Sequence, residues 1–168
     1  IRDSVASRGL GDVYKRQLSH RGASCTVYVR KSDPELPKEV ELEPGVTIVH
    51  IEAGDYHLSK EDLPRIVDLF AREVMKDLTC RKSVDVIHAN YWLSGLAGHK
   101  IKHELNIPLV TTFHTLGKAK IESGSAEPNQ RLVSEREIIG CSEIVVANSE
   151  NEQQQLLNLY DAPSERIK

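Results

Sequence analysis

From residue 24 onward, short β-branched runs alternate with longer segments of helical periodicity, and this alternation constrains the fold more than any other feature of the chain. Runs too short for helices read as strands, and strands separated by helices long enough to cross over pair in parallel. The expectation is an α/β domain built on a doubly wound parallel sheet flanked by helices. Its strands are expected at residues 25–29, 46–51, 84–88, 108–113 and 143–147. Between the first two, the Pro- and Glu-rich stretch 32–45 reads as an exposed loop.

Helices fill the longer intervals. Ser59 reads as an N-cap with Asp62 three places on, Pro64 fits only an early turn, and Leu63, Ile66, Val67, Phe70, Val74 and Leu78 give an apolar stripe. Ser94 reads as the cap of a helix carrying Leu93, Ala97, Ile101 and Leu105. A loop with Gly117, Gly124 and Pro128 precedes a helix over 131–140. The last helix opens at Asn148 and Ser149, where Ser149 and Glu152 have capping-box spacing, and Pro163 stops it.

Residues 1–17 follow none of these periodicities. A doubly wound domain normally opens on a buried apolar strand and a Gly-rich turn, and this stretch offers only Arg8-Gly9-Leu10-Gly11-Asp12. The expectation is a non-native leader in place of a first strand, with the domain itself spanning 18–168.

At 168 residues the chain is long enough to bury a core without disulfides or metals. A formal charge of -3 with mixed signs gives no overall attraction to nucleic acid. Cys25, Cys80 and Cys141 stand far apart and odd in number, which argues against a disulfide framework or zinc knuckle and for reduced thiols in the cytoplasm. No apolar run approaches the roughly 20 residues that span a bilayer.

Ligands of open α/β sheets bind at the carboxyl ends of strands, and two such places are chemically loaded. His88-Ala89-Asn90-Tyr91-Trp92-Leu93-Ser94-Gly95 closes one strand before a helix N-terminus that favours an anion. His114-Thr115-Leu116-Gly117-Lys118 closes the next, with Lys118 and Lys120 adding positive charge.

The ordered set HANYWLSG, TFHTLGKAK, the helix start at Arg131 and VVANS resembles glycosyltransferase family 4. The likeness runs over 18–168; it is strongest to the inositol-phosphate N-acetylglucosaminyltransferases of mycothiol synthesis and looser to sucrose-phosphate synthases. It implies the N-terminal, acceptor-binding domain of a GT-B enzyme, in which two Rossmann-like domains face each other across a cleft. It also implies a nucleoside diphosphate sugar as co-substrate, a phosphorylated polyol or sugar as acceptor, retention of configuration, and no cofactor or metal. By resemblance the acceptor phosphate is held by Lys60, Tyr91, Thr115 and Arg131, and His114 is a catalytic contact to the donor sugar. The donor domain would follow Lys168, so this fragment is expected to be inactive; a homodimer is compatible with the reading. Asn90 stands where a His commonly precedes Tyr-Trp.

Each residue also has a plainer reading. Lys60 fits a solvated first-turn lysine, and Arg131 with Glu135 four places on fits a surface ion pair. Tyr91 and Trp92 can cover the sheet end, Thr115 a turn, and His114 a backbone hydrogen bond. His99 and His103 have metal-ligand spacing, but the intervening lysines and the missing Glu favour an exposed helix face, and Cys25 and Cys141 favour apolar packing. Ser94 lacks the setting of a hydrolase nucleophile. Two other functions stay open: a stand-alone Rossmann-like phosphate or nucleotide binding module, and a transferase acting on a phosphate-free cell-surface acceptor.

Overall fold

A computed structural model describes residues 21–81 and 83–168. The proposed leader, including Arg8 to Asp12, lies outside the described residues. The chain divides into two compact units, Ile1–Leu58 and Ser59–Lys168.

In the first unit, β1 (Cys25–Arg30) pairs in parallel with β3 (Val46–Ile51), and β2 (Glu39–Glu43) pairs with β3 in the antiparallel sense. The order is β1-β3-β2. Val46, Val49 and Ile51 make central β3 the buried strand. The presence of β2 corrects the loop expected over 32–45. Glu-Val-Glu-Leu-Glu has the period-two pattern of a strand, and an edge position among the described strands leaves Glu39 and Glu41 exposed. Gly45, at φ 83°, makes the left-handed turn that returns the chain into β3.

The second unit holds the sheet β4-β5-β6, with β4 at Ile87–Asn90, β5 at Leu109–Thr112 and β6 at Ile144–Val146, all parallel. The mixed α/β class with crossover-linked parallel strands is the one the alternation implied. Among the described residues, the hydrogen-bonded ladders form two three-stranded sheets, one of them with an antiparallel edge. Strand β4 starts three residues later than expected because its partner β5 begins only at Leu109, leaving Val86 half exposed.

Helix α1 (Val67–Cys80) follows a 3-10 turn over Leu63–Ile66 that contains Pro64. Ser59 does not cap it: its hydroxyl donates to Asp62 Oδ2 at 2.7 Å. Lys60 therefore lies in an exposed turn, outside any helix. Helix α2 (Trp92–Leu105) begins at Trp92, so Ser94 is an interior residue and Tyr91 takes the cap position. Its glycines allow close packing, since a Cβ on Gly98 would meet Leu109 Cδ1 at 2.8 Å and one on Gly95 would meet Ile138 Cδ1 at 2.8 Å.

The loop expected around Gly117 contains helix α3 (Gly117–Glu122), followed by α4 (Asn129–Cys141). Helix α5 (Glu150–Tyr160) has the capping expected of it: Ser149 Oγ accepts from the Glu152 N–H, and Glu152 Oε2 accepts from the Asn148 N–H. It ends with Asp161 at φ 52°, two residues before Pro163. Trp92, Phe113, Leu116, Ile138, Val145, Leu156 and Tyr160 form the core of this unit. Among the described residues, no helix is long and apolar enough to cross a membrane.

Candidate functional site

Strands β4 and β5 are parallel neighbours in register Asn90 to Thr112, so the residues that follow them emerge at one end of the sheet. There the backbone turns sharply at both exits. His114 has φ 61°. Tyr91 has φ 73° and ψ 156°, a region that glycine alone enters without cost. Two hydrogen bonds hold Tyr91 there: its N–H donates to Thr112 O at 2.8 Å, and its carbonyl accepts the Gly95 N–H at 2.9 Å. The first belongs to the sheet and the second to helix α2, so the strained residue is the joint between them.

Arg131 rises from the third position of α4 into this end and is 1% exposed. Its guanidinium lies 5.2 Å from the Tyr91 ring centre. Nη2 donates to Thr115 O at 2.8 Å and Thr115 Oγ1 at 3.1 Å. Nε donates to Glu135 Oε1 at 2.8 Å, and Nη1 to Glu127 Oε2 at 2.9 Å. Glu135, 0% exposed, also accepts from the Gly117 N–H and from the Tyr160 hydroxyl. The Arg131–Glu135 pair is thus a buried, hydrogen-bonded unit, in place of the surface pair that the spacing also allowed. Burial opposes the Arg131 charge, but the hydrogen bonds it donates to Glu135 and Glu127 outweigh it and raise its pKa.

Gly117 is required by this unit. A Cβ there would lie 3.1 Å from Glu135 Oε2 and 2.8 Å from Leu132 Cδ2. Lys118 and Lys120, expected to charge the loop, are turned to internal partners. Lys118 Nζ donates to Leu159 O and sits 4.8 Å from the Tyr160 ring centre; Lys120 Nζ pairs with Glu127 Oε1 at 2.7 Å. Burial first, then the hydrogen bond to Glu135, pushes the Tyr160 phenol far above its usual range.

Described contacts thus join Tyr91, Thr115 and Arg131. Exposed His114 is joined to the same end through its Nε2, 2.9 Å from Asn90 Oδ1. Lys60 is exposed, and among the described residues no hydrogen bond or ion pair links it to the other four. Sequence alone gives Glu127 no role, Tyr160 no role beyond its helix and Asn90 none beyond its place in the motif, and it reads Glu135 only as a surface partner. The spacing Glu127, Arg131, Glu135 was a signal for the carboxylates; nothing local marks Tyr160.

Beneath this surface His88 Nε2 lies 2.8 Å from Thr112 Oγ1. Burial first, then the nearby His114, lowers its pKa below the ordinary value. A lowered histidine pKa favours the fold while the unfolded chain is also neutral, above about pH 6.5, and that advantage is lost as pH falls through the folded value. His99 is lowered in the same direction, by burial first. The His88→Gln variant should therefore lose less stability than wild type in urea titrations as pH falls below about 6.5. Parallel profiles would remove His88 as a source of the dependence.

Of His99 and His103, both expected on an exposed face, His103 is exposed and His99 departs from that expectation. His99 is half buried, and both imidazoles meet half-buried Cys141, with ligand atoms all within 4.8 Å of one another.

Comparison with known proteins matches residues 14–168 to the model of Glycosyltransferase Family 4. A D-inositol 3-phosphate glycosyltransferase of Thermobispora bispora is 36% identical over 159 residues, covering 90% of this chain and 37% of that protein. The enzyme of that name from Frankia alni is 36% identical over 161 residues, 90% of this chain and 39% of its own. The chain therefore spans less than two fifths of either relative. Among solved structures, a sucrose-phosphate synthase from Thermosynechococcus elongatus superposes with a TM-score of 0.86 at 26% identity, over 95% of this chain and 42% of its own.

Proposed function

From the premise that this chain belongs to glycosyltransferase family 4, we propose that the protein transfers a sugar from a nucleoside diphosphate sugar to a phosphorylated polyol or sugar in the cytoplasm. Residues 18–168 carry the acceptor side. The donor side falls to a second domain, without which this stretch binds but does not turn over. The observation that carries the reading is the convergence of Tyr91, Thr115 and Arg131 where two parallel strands end, beside the exposed His114.

A phosphate ester on the acceptor takes the Thr115 and Tyr91 hydroxyls and the Lys60 ammonium as donors. Arg131 supplies a fixed positive charge behind them. Its Nη1 reaches the phosphate where the ester displaces Glu127, which retains Lys120 as a partner. The relatives' names point to D-inositol 3-phosphate as the acceptor to try first. His114, with Nε2 donating to Asn90, contacts the donor sugar. Transfer proceeds with retention, the departing diphosphate taking the acceptor proton. The protein contributes positioning and charge stabilisation, and no metal is needed at the chemical step.

Calorimetric titration of the 168-residue chain with D-inositol 3-phosphate, free inositol and inorganic phosphate tests this. Saturable binding is expected for the phosphate ester and not for inositol. Lys60→Ala and Thr115→Val should each weaken it by about tenfold, the value of one hydrogen bond to a charged group. Equal binding of free inositol, or affinity unmoved by both substitutions, would sink the phosphate reading and favour an acceptor without phosphate.

A further inference from the structure

We propose that His99, His103 and Cys141 form a binding site for a zinc-class divalent cation that ties α2 to α4. The inference is independent of the acceptor reading, because the cluster lies towards the opposite ends of these helices from Tyr91 and Arg131. Contacts between Tyr91 and Arg131, Gly95 and Ile138, and His103 and Cys141 occur in the same order along both elements, so the helices run side by side in one direction. Four-residue spacing on α2 places both imidazoles on one face, with ring centres 4.7 Å apart.

The donor set decides the metal class. One thiolate and two imidazoles are borderline-soft ligands suited to zinc, whereas calcium and magnesium demand oxygen. Tetrahedral bonds of about 2.0–2.3 Å put neighbouring ligand atoms about 3.3–3.8 Å apart. The three atoms lie within 4.8 Å, so rotation about side-chain bonds suffices to close on an ion. Water takes the fourth position of the tetrahedron.

The neighbouring lysines do not point free charge at the site. Lys100 Nζ pairs with Asp68 at 2.8 Å, and Lys102 Nζ is shared between Glu143 and the Cys141 carbonyl. Access is open on two sides. A cleft of about 310 Å³ is lined by His99, His103, Asp68 and Glu104, and another of about 380 Å³ by His103, Cys141 and Glu143. An ion here would be structural, fixing α2 against α4 with no part in the transfer step.

Cobalt(II) titration of the reduced chain is the test. One equivalent should bind, with a thiolate charge-transfer band in the near ultraviolet and intense visible bands of tetrahedral cobalt, all abolished by zinc. Cys141→Ser should lose the charge-transfer band. His103→Ala, at an exposed position where folding is little disturbed, should weaken binding by at least about tenfold. Cys25→Ser and Cys80→Ser should change neither. Zinc should also raise the melting temperature of wild type but not of His103→Ala. Absence of saturable cobalt uptake, a charge-transfer band that survives Cys141→Ser, or an equal zinc-induced shift in His103→Ala would each overturn the proposal.

Discussion

Glu135→Leu should lower the unfolding free energy by about 3–5 kcal/mol, the usual cost of removing one partner of a buried ion pair. The Arg131 guanidinium would lose its Nε partner in a site 1% exposed, and the Gly117 N–H and Tyr160 hydroxyl would lose their acceptor. Against a total stability of about 5–15 kcal/mol, this is a large fraction. For a chain of this size it corresponds to a fall in melting temperature of about 10 °C. Adding Arg131→Met should recover about 1–3 kcal/mol of the loss, because the stranded charge is then removed. Urea unfolding of the two single variants and the double closes the cycle. Strict additivity would mean that the pair is not coupled and that Glu135 matters only through Gly117 and Tyr160.

Tyr91 should behave oppositely in stability and in function. Its φ of 73° with ψ of 156° costs about 1–3 kcal/mol for a residue with a side chain. Tyr91→Gly removes that strain, and Tyr91→Ala keeps it while losing the ring over Arg131. Even after the greater unfolded-state entropy of glycine, about 0.5–1 kcal/mol, the Gly variant should be more stable than the Ala variant by about 1–2 kcal/mol. Both should lose affinity for D-inositol 3-phosphate under the proposed function. Thermal melts and titrations of the two proteins provide the comparison. An Ala variant as stable as the Gly variant would show that the backbone at residue 91 relaxes freely, and the position would then store no strain.

Such strain is tolerated because the joint is doubly held, by the β5 carbonyl on one side and the first turn of α2 on the other. Strain at the carboxyl end of a strand, where α/β sheets take ligands, is where a functional constraint is expected. Nothing in the letters HANYW announces a positive φ at tyrosine; the local preference is for glycine or asparagine. The sequence reading accordingly placed the helix cap at Ser94 and missed the turn.

Periodicity carried most of the fold. Strands β1, β3, β5 and β6 and helices α1, α2, α4 and α5 lie where the alternation put them, because each is defined by apolar spacing within one segment. Errors fell where pairing or packing decides. Strand β2 was hidden by its glutamates, which an edge tolerates and a centre does not. The start of β4 was set by the extent of β5, and the onset of α1 by Pro64 within a tighter turn. Helix α3 was masked by Gly117, which is small because Leu132 and the Arg131–Glu135 pair press on it and not because the chain loops there.

The sequence by itself determined the α/β class, the order of elements, and which two strand ends carry polar groups, because these depend on residue types at short spacing. Tertiary structure alone decided that Arg131 is buried between two carboxylates, that Tyr160 closes that network from α5, that Lys118 meets Leu159 and Tyr160, and that Cys141 meets His99 and His103. The Tyr160, Lys118 and Cys141 contacts join residues 25 to 42 positions apart, and the local Glu127–Arg131–Glu135 set is buried only by the packing around it. No local pattern encodes such a meeting; only the packing of helices on the parallel sheet produces it.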